Sequence, residues 1–460
     1  MTPRKPAGTM PNLEEGDRAR GRACFLVYVL GYEDLLAQAT VSLRIDAIPS
    51  PITVGRASDG KPFGLSAPAE IRMPDAWMSA AHAVLERQGD GWSLRDEGHS
   101  RNGTFVNGVR VRQHALLSGD LIEMGRSLLC YRVVDAAQVG ALEVPSAQLR
   151  LGPTRTHCAE VAVLLRDLRR IAASKESVLI LAETGAGKEF VAQEVHRLSG
   201  RAGQLCPVDC GAVPESLFEA TFFGHRRGAF TGAADARTGE LVRADGGTLF
   251  LDEVANMSTA SQAKLLRVLE DGRVTPLGAA ESQTVDVRWI AATNRELFAD
   301  QSAFRGDLLR RLAGYVARIP PLRRRREDLG ELSAHLLREA GIDRASITPA
   351  AARILFTDAF PGNLRQLRTT LRSAAILADR GQVAIEEQHL PTFDPQTEPV
   401  TDPGLGRPRR NGVPDAAEIE AALSTTQGNV VRAAQLLETH PRQLYRWIEK
   451  LALPLTKYRQ

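Results

Sequence analysis

The stretch Val178-Leu-Ile-Leu-Ala-Glu-Thr-Gly-Ala-Gly-Lys-Glu189 decides the fold of the largest part of this chain. Four apolar residues predict a buried strand, and a glycine-rich loop joins that strand to the helical pattern of residues 190–196. Glycines let backbone N–H groups converge on an anion, the helix N-terminus adds positive dipole, and Lys188 reaches terminal phosphates. The stretch therefore predicts a phosphate-binding loop, with an ordinary glycine-rich turn as the alternative on this stretch alone.

A second apolar strand, Gly247-Thr-Leu-Phe-Leu-Asp-Glu253, ends in two carboxylates. In P-loop nucleoside triphosphatases such an Asp holds Mg²⁺, directly or through water, and the adjacent Glu can polarise the attacking water. A strand that ends in Asp-Glu also suits a helix N-cap. Because both motifs occur in the right order within one α/β pattern, they favour ATP and Mg²⁺ as ligands.

Length and composition place these motifs in a multidomain globular chain. The 460 residues are 43% hydrophobic and 25% charged, which excludes a disordered chain, a fibrous repeat and a coiled-coil rod. The longest apolar run, residues 23–30, is shorter than the roughly 18 residues of a membrane span, and residues 1–22 lack the apolar core of a secretory signal. Five scattered cysteines indicate a reducing compartment. We expect a cytoplasmic protein with no membrane partner.

Changes in residue composition and hydrophobic pattern along the chain predict its domain organisation. Short strand-like runs separated by turn residues indicate a β-sandwich, and strands alternating with helical patterns indicate an α/β domain. The predicted segments are a flexible tail over 1–22, a β-sandwich over 23–135, a linker over 136–152, an α/β domain over 153–390 with a helical lid from about 322, a proline-rich linker over 391–414, and a small all-α domain over 415–460.

The most specific motif is Phe222-Phe-Gly-His-Arg-Arg-Gly-Ala-Phe-Thr-Gly-Ala233. With the two phosphate motifs, it makes residues 153–390 resemble the AAA+ ATPase domain of bacterial sigma-54-dependent activators, the enhancer-binding proteins. In that family the loop Gly228, Ala229, Phe230, Thr231, Gly232 and Ala233 contacts sigma-54. Glycine hinges around an exposed Phe suit a mobile contact loop.

The resemblance also implies a set of site residues. The nucleotide-binding residues are Ala182, Glu183, Thr184, Gly185, Ala186, Gly187, Lys188, Glu189 and Asp252. The catalytic residues are Lys188, Asp252, Glu253, Asn294, Arg305, Arg311 and Arg365. Asn294 corresponds to sensor I and Arg365 to sensor II, whereas Arg305 and Arg311 correspond to arginine fingers that serve a neighbouring subunit. The resemblance thus implies a ring, a hexamer or heptamer of this chain.

This sequence departs from the family pattern at two positions. Ala182 replaces the usual Gly at the start of the phosphate loop, which bears on nucleotide affinity. Asp209 replaces an Asn that restrains the glutamate of the second motif, and an acid beside Glu253 would repel it or share a proton. We interpret the run Arg323–Arg326 as a solvated face, and we expect Cys206 and Cys210 to be buried thiols, since their spacing makes a poor metal site.

The β-rich segment carries Val54-Gly-Arg56, Ser79-Ala-Ala-His82 and Arg101-Asn-Gly103. This pattern resembles the forkhead-associated (FHA) domain, which reads phosphothreonine through loops at one end of a sandwich. The implied phosphopeptide residues are Arg56, Ser79, Arg101 and Asn102, with His82 as a structural brace. The alternative is a sandwich used only for docking.

Three amphipathic helical patterns, over 417–423, 430–437 and 441–451, end the chain. The last two have helix-turn-helix spacing, and the segment resembles the Fis-type module of many enhancer-binding proteins. The resemblance places Arg442, Gln443, Arg446 and Lys450 toward the major groove and phosphates of double-stranded DNA. A helical docking domain with a basic rim is the alternative.

Together these patterns predict an ATP-dependent activator. It would bind upstream DNA, form a ring, remodel the sigma-54 RNA polymerase holoenzyme, and respond to a phosphothreonine protein such as a kinase substrate. One rival is a phosphopeptide-binding, DNA-docking regulator whose ATPase is silenced by Ala182 and Asp209. A second rival is a AAA+ remodeller unrelated to promoters, which the intact loop at 228–233 disfavours.

Overall fold

The computed structural model describes residues 21–37, 40–57, 62–98, 100–230, 235–295, 297, 304–391 and 416–426, together with eight single positions between 433 and 451. These residues form a β-sandwich, an α/β domain with a helical lid, and a helix of the C-terminal segment. Within the same residues, no helix has both the length and the apolar character needed to cross a membrane.

The sandwich is built from short antiparallel strands. In the described residues they are β1 (Arg22–Gly31), β2 (Val41–Arg44), β3 (Ile52–Arg56), β4 (Gly64–Ala67), β5 (Glu70–Met73), β6 (Ala83–Gln88), β7 (Gly91–Asp96), β8 (Thr104–Val106), β9 (Val109–Val111), β10 (Gln113–Ala115), β11 (Leu121–Met124) and β12 (Ser127–Asp135). One sheet has the order β2-β1-β12-β11-β8-β9 and the other β10-β7-β6-β3-β5-β4, and one parallel pair, β3 with β5, occurs in the second. The strand-like runs in the sequence, over 41–45, 51–54, 83–86, 104–106 and 127–133, overlap β2, β3, β6, β8 and β12.

The long strand β1 is buried on both faces. Cys24, Leu26 and Tyr28 point into the core between the two sheets. The alternate residues Phe25 and Val27 join a second core outside the sandwich. Successive side chains of a strand point to opposite faces, so the unbroken apolar run of this strand reflects two covered faces.

The α/β domain follows. Its strands are β13 (Arg150–Leu151), β14 (Thr154–Arg155), β15 (Val178–Leu181), β16 (Leu205–Asp209), β17 (Gly224–His225), β18 (Arg237–Thr238), β19 (Thr248–Asp252), β20 (Arg273–Val274), β21 (Gln283–Thr284), β22 (Arg288–Thr293) and β23 (Tyr315–Arg318). Its helices are α1 (Ala136–Leu142), α2 (Ala159–Ala172), α3 (Lys188–Ser199), α4 (Phe218–Phe222), α5 (Glu240–Arg243), α6 (Thr259–Asp271) and α7 (Gly306–Leu312). Five of these strands form a parallel sheet of order β16-β19-β22-β15-β23, which brings the carboxyl ends of the motif-bearing strands to one edge.

The segment over 136–152, predicted as a linker, is itself folded. It contains α1 and a 3-10 turn over Ser146–Leu149. Ala141 and Leu149 are buried against Ala162 of α2. The segment over 136–152 therefore connects the sandwich to the α/β domain and packs against the α/β domain.

The lid consists of α8 (Leu329–Glu339), α9 (Pro349–Phe356) and α10 (Asn363–Leu377), preceded by 3-10 turns over Leu322–Arg324 and Arg326–Asp328. Thr348 caps α9 by accepting a hydrogen bond from the Ala351 N–H, and Pro349 occupies the first helical turn, a position that suits proline.

The lid and the outer face of the sandwich share one apolar core. Phe25, Val27 and Cys130 of the sandwich belong to the same buried cluster as Leu329 and Leu336 of α8. The Leu35 N–H donates to Ala345 O, and the Ile347 N–H donates to Tyr32 O, both at 2.8 Å. The lid thus covers the second face of β1, and the sandwich and the lid share one buried apolar core.

The C-terminal segment is described through α11 (Ala416–Thr425) and scattered later positions. Ile419 and Leu423 of α11 lie in a cluster with Leu444, Ile448 and Val109 of the sandwich. The first predicted helical pattern, over 417–423, is confirmed. The predicted DNA-facing residues Arg442, Gln443, Arg446 and Lys450 lie outside the described residues.

Candidate functional site

The phosphate loop lies between the end of β15 and the start of α3. Gly185 and Gly187 have φ of +75° and +103°, conformations that glycine adopts without strain. A Cβ on Gly185 would lie 2.5 Å from the Gly362 carbonyl oxygen of the lid. The loop therefore needs glycine both for its curvature and for the close approach of the lid.

Two carboxylates meet the lysine of this loop. The Lys188 Nζ lies 3.2 Å from Asp252 Oδ1 and 2.5 Å from Glu253 Oε1. Only 7% of the lysine side chain is exposed, and a buried ammonium requires such counter-charges. Glu253 has φ of +49°, a strained conformation for a residue with a side chain. The structure thus brings Lys188, Asp252 and Glu253 together.

The neighbouring strand β22 adds the predicted sensor residue. Asn294 follows this strand directly, and its Nδ2 lies 3.3 Å from Thr184 Oγ1 of the phosphate loop. The Ala182 N–H donates to Thr293 O at 3.2 Å. Ala182 itself is buried in the core behind the loop, so its methyl group is accommodated by packing. Glu189 is exposed in the first turn of α3.

The lid contacts the phosphate loop through residues that the sequence analysis either missed or interpreted as solvent-exposed. Arg323 donates to both carboxylate oxygens of Glu183, at 2.8 and 2.6 Å. Asn363 Nδ2 donates to Glu183 Oε2 and to Thr184 O, both at 3.1 Å. Burial raises the pKa of Glu183, but the hydrogen bonds from Arg323 and Asn363 outweigh it and bring the pKa below its usual value.

The interpretation of Arg323–Arg326 as a solvated face is wrong. Arg325 and Arg326 are 3% and 8% exposed, and Arg325 Nη2 donates to Ala186 O at 2.7 Å. Arg324 alone extends into solvent, where it pairs with Glu160. Four consecutive cations look solvated in a sequence, but here Arg323 and Arg325 bind a carboxylate and a carbonyl of the phosphate loop.

A largely apolar cleft adjoins the phosphate loop. Leu151, Phe190 and Leu364 line it, with His335 and Arg368 at the lid side. Phe190 packs against Gly152. Its largely apolar lining suits a flat aromatic ring, and the sequence motifs did not indicate it.

The remaining predicted cationic residues divide between two places. Arg365 Cβ lies 3.2 Å from the position that a Cβ on Gly185 would take, so α10 starts beside the phosphate loop. Arg305 precedes α7 and pairs with Asp307 at 2.7 Å, holding the pKa of that exposed carboxyl at about 2. Arg311 is 60% exposed and lies 3.9 Å from Glu270. Arg305 and Arg311 are therefore accessible from outside the chain's own site.

Asp209 takes a local role in the structure. Its Oδ1 accepts a hydrogen bond from the Gly211 N–H at 2.9 Å, whereas Glu253 is held by Lys188. The two carboxylates are thus directed to different donors, and the expected repulsion or proton sharing is not needed to explain their positions. Cys206 and Cys210 are buried free thiols, as predicted, and burial together with Asp209 raises the pKa of Cys210 to about 12.

The predicted contact loop leaves the domain through the hairpin of β17 and β18. Gly228 has φ of +79°. The ring of Phe230 is 40% exposed and lies edge-on to His225 at 5.0 Å. Ala229 packs close to Gly278 in the turn between β20 and β21, a second supporting loop that sequence reasoning missed. Thr231, Gly232 and Ala233 lie outside the described residues.

The predicted phosphopeptide residues meet at one end of the sandwich. The Arg56 N–H donates to Ser79 O at 3.0 Å, and Asn102 Nδ2 donates to Trp77 O at 2.7 Å. His82 is fully buried and joins the Ser79 N–H to Gly103 O. Burial lowers the pKa of His82, which suits a neutral brace.

The guanidinium groups at this end are accessible. Arg56 and Arg101 are exposed, and a half-exposed Trp77 lies under Arg126 at 3.9 Å from its ring centre. Trp77 is a feature of this surface that the sequence motifs did not indicate.

Family comparisons agree with this arrangement. Residues 52–125 match the FHA domain, residues 155–317 the sigma-54 interaction domain, residues 323–403 the AAA+ ATPase lid domain, and residues 415–451 the Fis family of bacterial regulatory proteins. The fold and its phosphate loop thus define a AAA+ domain of the ATP-binding class, flanked by an FHA domain and a helix-turn-helix module.

Relatives place the chain more narrowly. The Nif-specific regulatory protein of Azotobacter vinelandii is 37% identical over 311 residues, which cover 65% of this chain and 59% of that protein. The anaerobic nitric oxide reductase transcription regulator NorR of Salmonella paratyphi B is 38% identical over 308 residues, 63% of this chain and 61% of that protein. The chain therefore spans about three fifths of the length of these relatives. Over its sigma-54 interaction domain and lid, the chain is similar to the sigma-54-dependent activators.

A solved structure supports the nucleotide class. NtrX from Brucella abortus in complex with ATP is 29% identical, with a TM-score of 0.50, and the match covers 67% of this chain and 71% of that one. The prediction of a multidomain protein with FHA, AAA+ and helix-turn-helix parts is confirmed.

Proposed function

We propose that this protein hydrolyses ATP in a ring of identical subunits and uses the energy to remodel the sigma-54 RNA polymerase holoenzyme. The observation that carries the proposal is the meeting of Lys188, Asp252 and Glu253 at one sheet edge, in a domain that also carries the loop ending at Phe230. ATP bound to the related NtrX structure supports the nucleotide.

In this proposal each group acts at a separate step. Lys188 and the N–H groups of the phosphate loop hold the terminal phosphates, and Glu253 orients and polarises the attacking water. Asp252 is an oxygen donor 28% exposed beside the loop, which fits the ligand preference of Mg²⁺. A magnesium ion held there would neutralise charge on the phosphates. The apolar cleft lined by Leu151 and Phe190 accepts the base.

Arg305 and Arg311 act on a neighbour's nucleotide. Arg305 directly precedes α7 and Arg311 lies on it. Both are exposed, and among the described residues their side chains pair with Asp307 and Glu270. An arginine supplied across a subunit boundary stabilises charge that develops on the transferred phosphoryl group. Hydrolysis is therefore expected to rise with protein concentration, as hexamers or heptamers form.

The two flanking domains supply the response to a regulatory signal and the binding to DNA. The Arg56, Ser79, Arg101 and Asn102 surface recognises phosphothreonine on a partner protein. The C-terminal helix-turn-helix holds the ring on upstream double-stranded DNA through Arg442, Gln443, Arg446 and Lys450.

Transcription in vitro with sigma-54 holoenzyme, with and without ATP, tests the proposal. Open complexes are expected only with ATP and above the concentration at which rings form. Binding of DNA and phosphopeptide without ATP turnover would favour the silenced regulator instead. The buried position of Ala182 argues against silencing at that site.

A further inference from the structure

The segment 322–328 lies between the FHA domain and the phosphate loop. On one side, Arg323 holds Glu183 through two hydrogen bonds, and Arg325 Nη2 donates to Ala186 O at 2.7 Å. Both acceptors belong to the phosphate loop. The position of this segment therefore fixes the path of the loop backbone on either side of Gly185.

The other side of the same segment is held by the FHA domain. Arg132 of β12 donates from Nε to Glu327 Oε2 at 2.7 Å. Its Nη2 donates to the same oxygen and, at 2.9 Å, to Arg324 O. One guanidinium thus binds both a side chain and the backbone of the segment.

Burial makes this contact consequential. Glu327 is 3% exposed and Arg132 is 17% exposed. A buried carboxylate that loses its partner is strongly unfavourable, so the segment moves rather than leave Glu327 unpaired. Arg325 lies two residues from Glu327 and is itself 3% exposed. A shift at Glu327 is therefore passed to the Ala186 carbonyl through a short, closely packed stretch.

We propose that Arg132 of the FHA domain is a positioning residue for the nucleotide site, acting through Glu327 and Arg325. The FHA domain would then set the nucleotide affinity of the ATPase through this pair of buried contacts. This inference goes beyond the proposed function, and its test reads nucleotide binding, so it stands or fails independently of sigma-54 engagement.

The test is a comparison of full-length variants by titration with a non-hydrolysable ATP analogue. Arg132→Gln is expected to raise the dissociation constant roughly 2- to 30-fold, the range found for coupling through contiguous networks. Arg325→Gln is expected to do the same. Since both act on one path, the double variant should fall well short of the product of the two effects.

The matched control is Arg95→Gln, which removes an FHA arginine paired with Glu86 in the opposite sheet and should leave the constant unchanged. Arg132→Lys, which keeps the charge, should restore part of the affinity. In turnover, Arg132→Gln should raise KM for ATP more than it lowers kcat.

Two results would overturn the proposal: wild-type affinity in folded Arg132→Gln, or effects of Arg132→Gln and Arg325→Gln that simply multiply. Thermal unfolding of each variant establishes folding. If Arg132→Gln does not fold, Arg132→Lys and Glu327→Gln are judged by the same titration and the same criterion.

Discussion

At the scale of single residues, the nucleotide site separates binding from chemistry. Lys188→Ala removes the ammonium proposed to hold the phosphates and should weaken ATP binding about 10- to 100-fold, because charge-assisted hydrogen bonds contribute about 1.5–3 kcal/mol. Glu253→Gln should retain binding and slow hydrolysis by roughly 10²–10⁴. Titration and turnover assays on the same preparations distinguish the two effects.

The control for this pair is Asp271→Asn, at the exposed end of α6, which should change neither quantity. Unchanged turnover in Glu253→Gln would remove the assignment of that carboxylate.

A buried histidine makes the contact between domains sensitive to acid. His157 Nδ1 and Ser42 Oγ are hydrogen-bonded at 2.8 Å, and burial, with Arg155 nearby, lowers the pKa of His157 to about 3. The unfolded chain binds this proton near pH 6.5 and the folded chain does not. The stability is therefore present above pH 6.5 and declines as the pH falls toward 3.

We expect His157→Gln to flatten that decline in the melting temperature measured between pH 7 and 4. His389→Gln, a change outside this contact, should retain the wild-type slope. Parallel slopes for wild type and His157→Gln would show that other groups control the acid response.

At the scale of elements, substitutions in the loop through Phe230 should uncouple ATP hydrolysis from remodelling of the holoenzyme. Phe230→Ala and Thr231→Ala are expected to keep ATPase activity and lose engagement of sigma-54, because the Phe230 ring is exposed and contacts His225, which is not a residue of the phosphate site. Retention of open-complex formation would show that another surface makes the contact. Leu217→Ala, at a second exposed apolar side chain of the domain, is the control.

The packing of α8 on β1 gives a second prediction. A Cβ on Gly330 would lie 1.9 Å from Val29 O, so Gly330→Ala should push the lid from the FHA domain and cost about 1–3 kcal/mol of stability. Limited proteolysis should then cleave between the two domains more rapidly.

Gly140→Ala is the matched control for this change. It lies in helix α1 with open space around its Cβ position, and it should be neutral or stabilising by up to about 1 kcal/mol. Equal rates of proteolysis for Gly330→Ala and wild type would mean that the contact between α8 and β1 accommodates the methyl group without separation of the lid from the FHA domain.

Sequence patterns predicted individual elements well where their physics is local. The phosphate loop, the strand that ends in Asp252 and the FHA turn motifs each depend on short stretches of chain. The lid contacts depend on long-range pairing: nothing near Arg325 in the sequence indicates that Ala186 accepts its hydrogen bond. The fully apolar run of β1 was a usable signal, since an ordinary sandwich strand alternates with polar residues.

At the scale of the whole molecule, the shared core makes the FHA domain and the lid one structural unit. Phe25 and Val27 would be exposed if residues 23–135 were excised, so an isolated FHA fragment is a poor reagent and peptide binding belongs in the full chain. Arg323 and Asn363 join the lid to the phosphate loop, so a nucleotide at that loop and a peptide at the FHA domain would both act on this unit.

Phosphopeptide and nucleotide should therefore affect each other reciprocally. In the proposed site a phosphothreonine dianion would gain several charge-assisted hydrogen bonds from Arg56, Ser79, Arg101 and Asn102, each on the order of 1.5–3 kcal/mol, whereas a Glu mimic has less charge and poorer geometry. Arg56→Ala should abolish binding of phosphothreonine peptides to the full chain and leave ATPase activity without peptide intact. Equal binding of phosphorylated and unphosphorylated peptides would reduce the sandwich to a docking surface.

Reciprocity between peptide and nucleotide binding also makes a quantitative prediction. If a saturating ATP analogue changes the peptide dissociation constant by some factor, saturating peptide must change the nucleotide constant by the same factor, because both describe one thermodynamic cycle. Arg132→Gln should reduce that factor toward one while the peptide still binds, since Arg132 lies on the lid side of the sandwich, in the sheet opposite Arg56. A factor that is unchanged in Arg132→Gln would mean that the coupling passes through other contacts of the shared core.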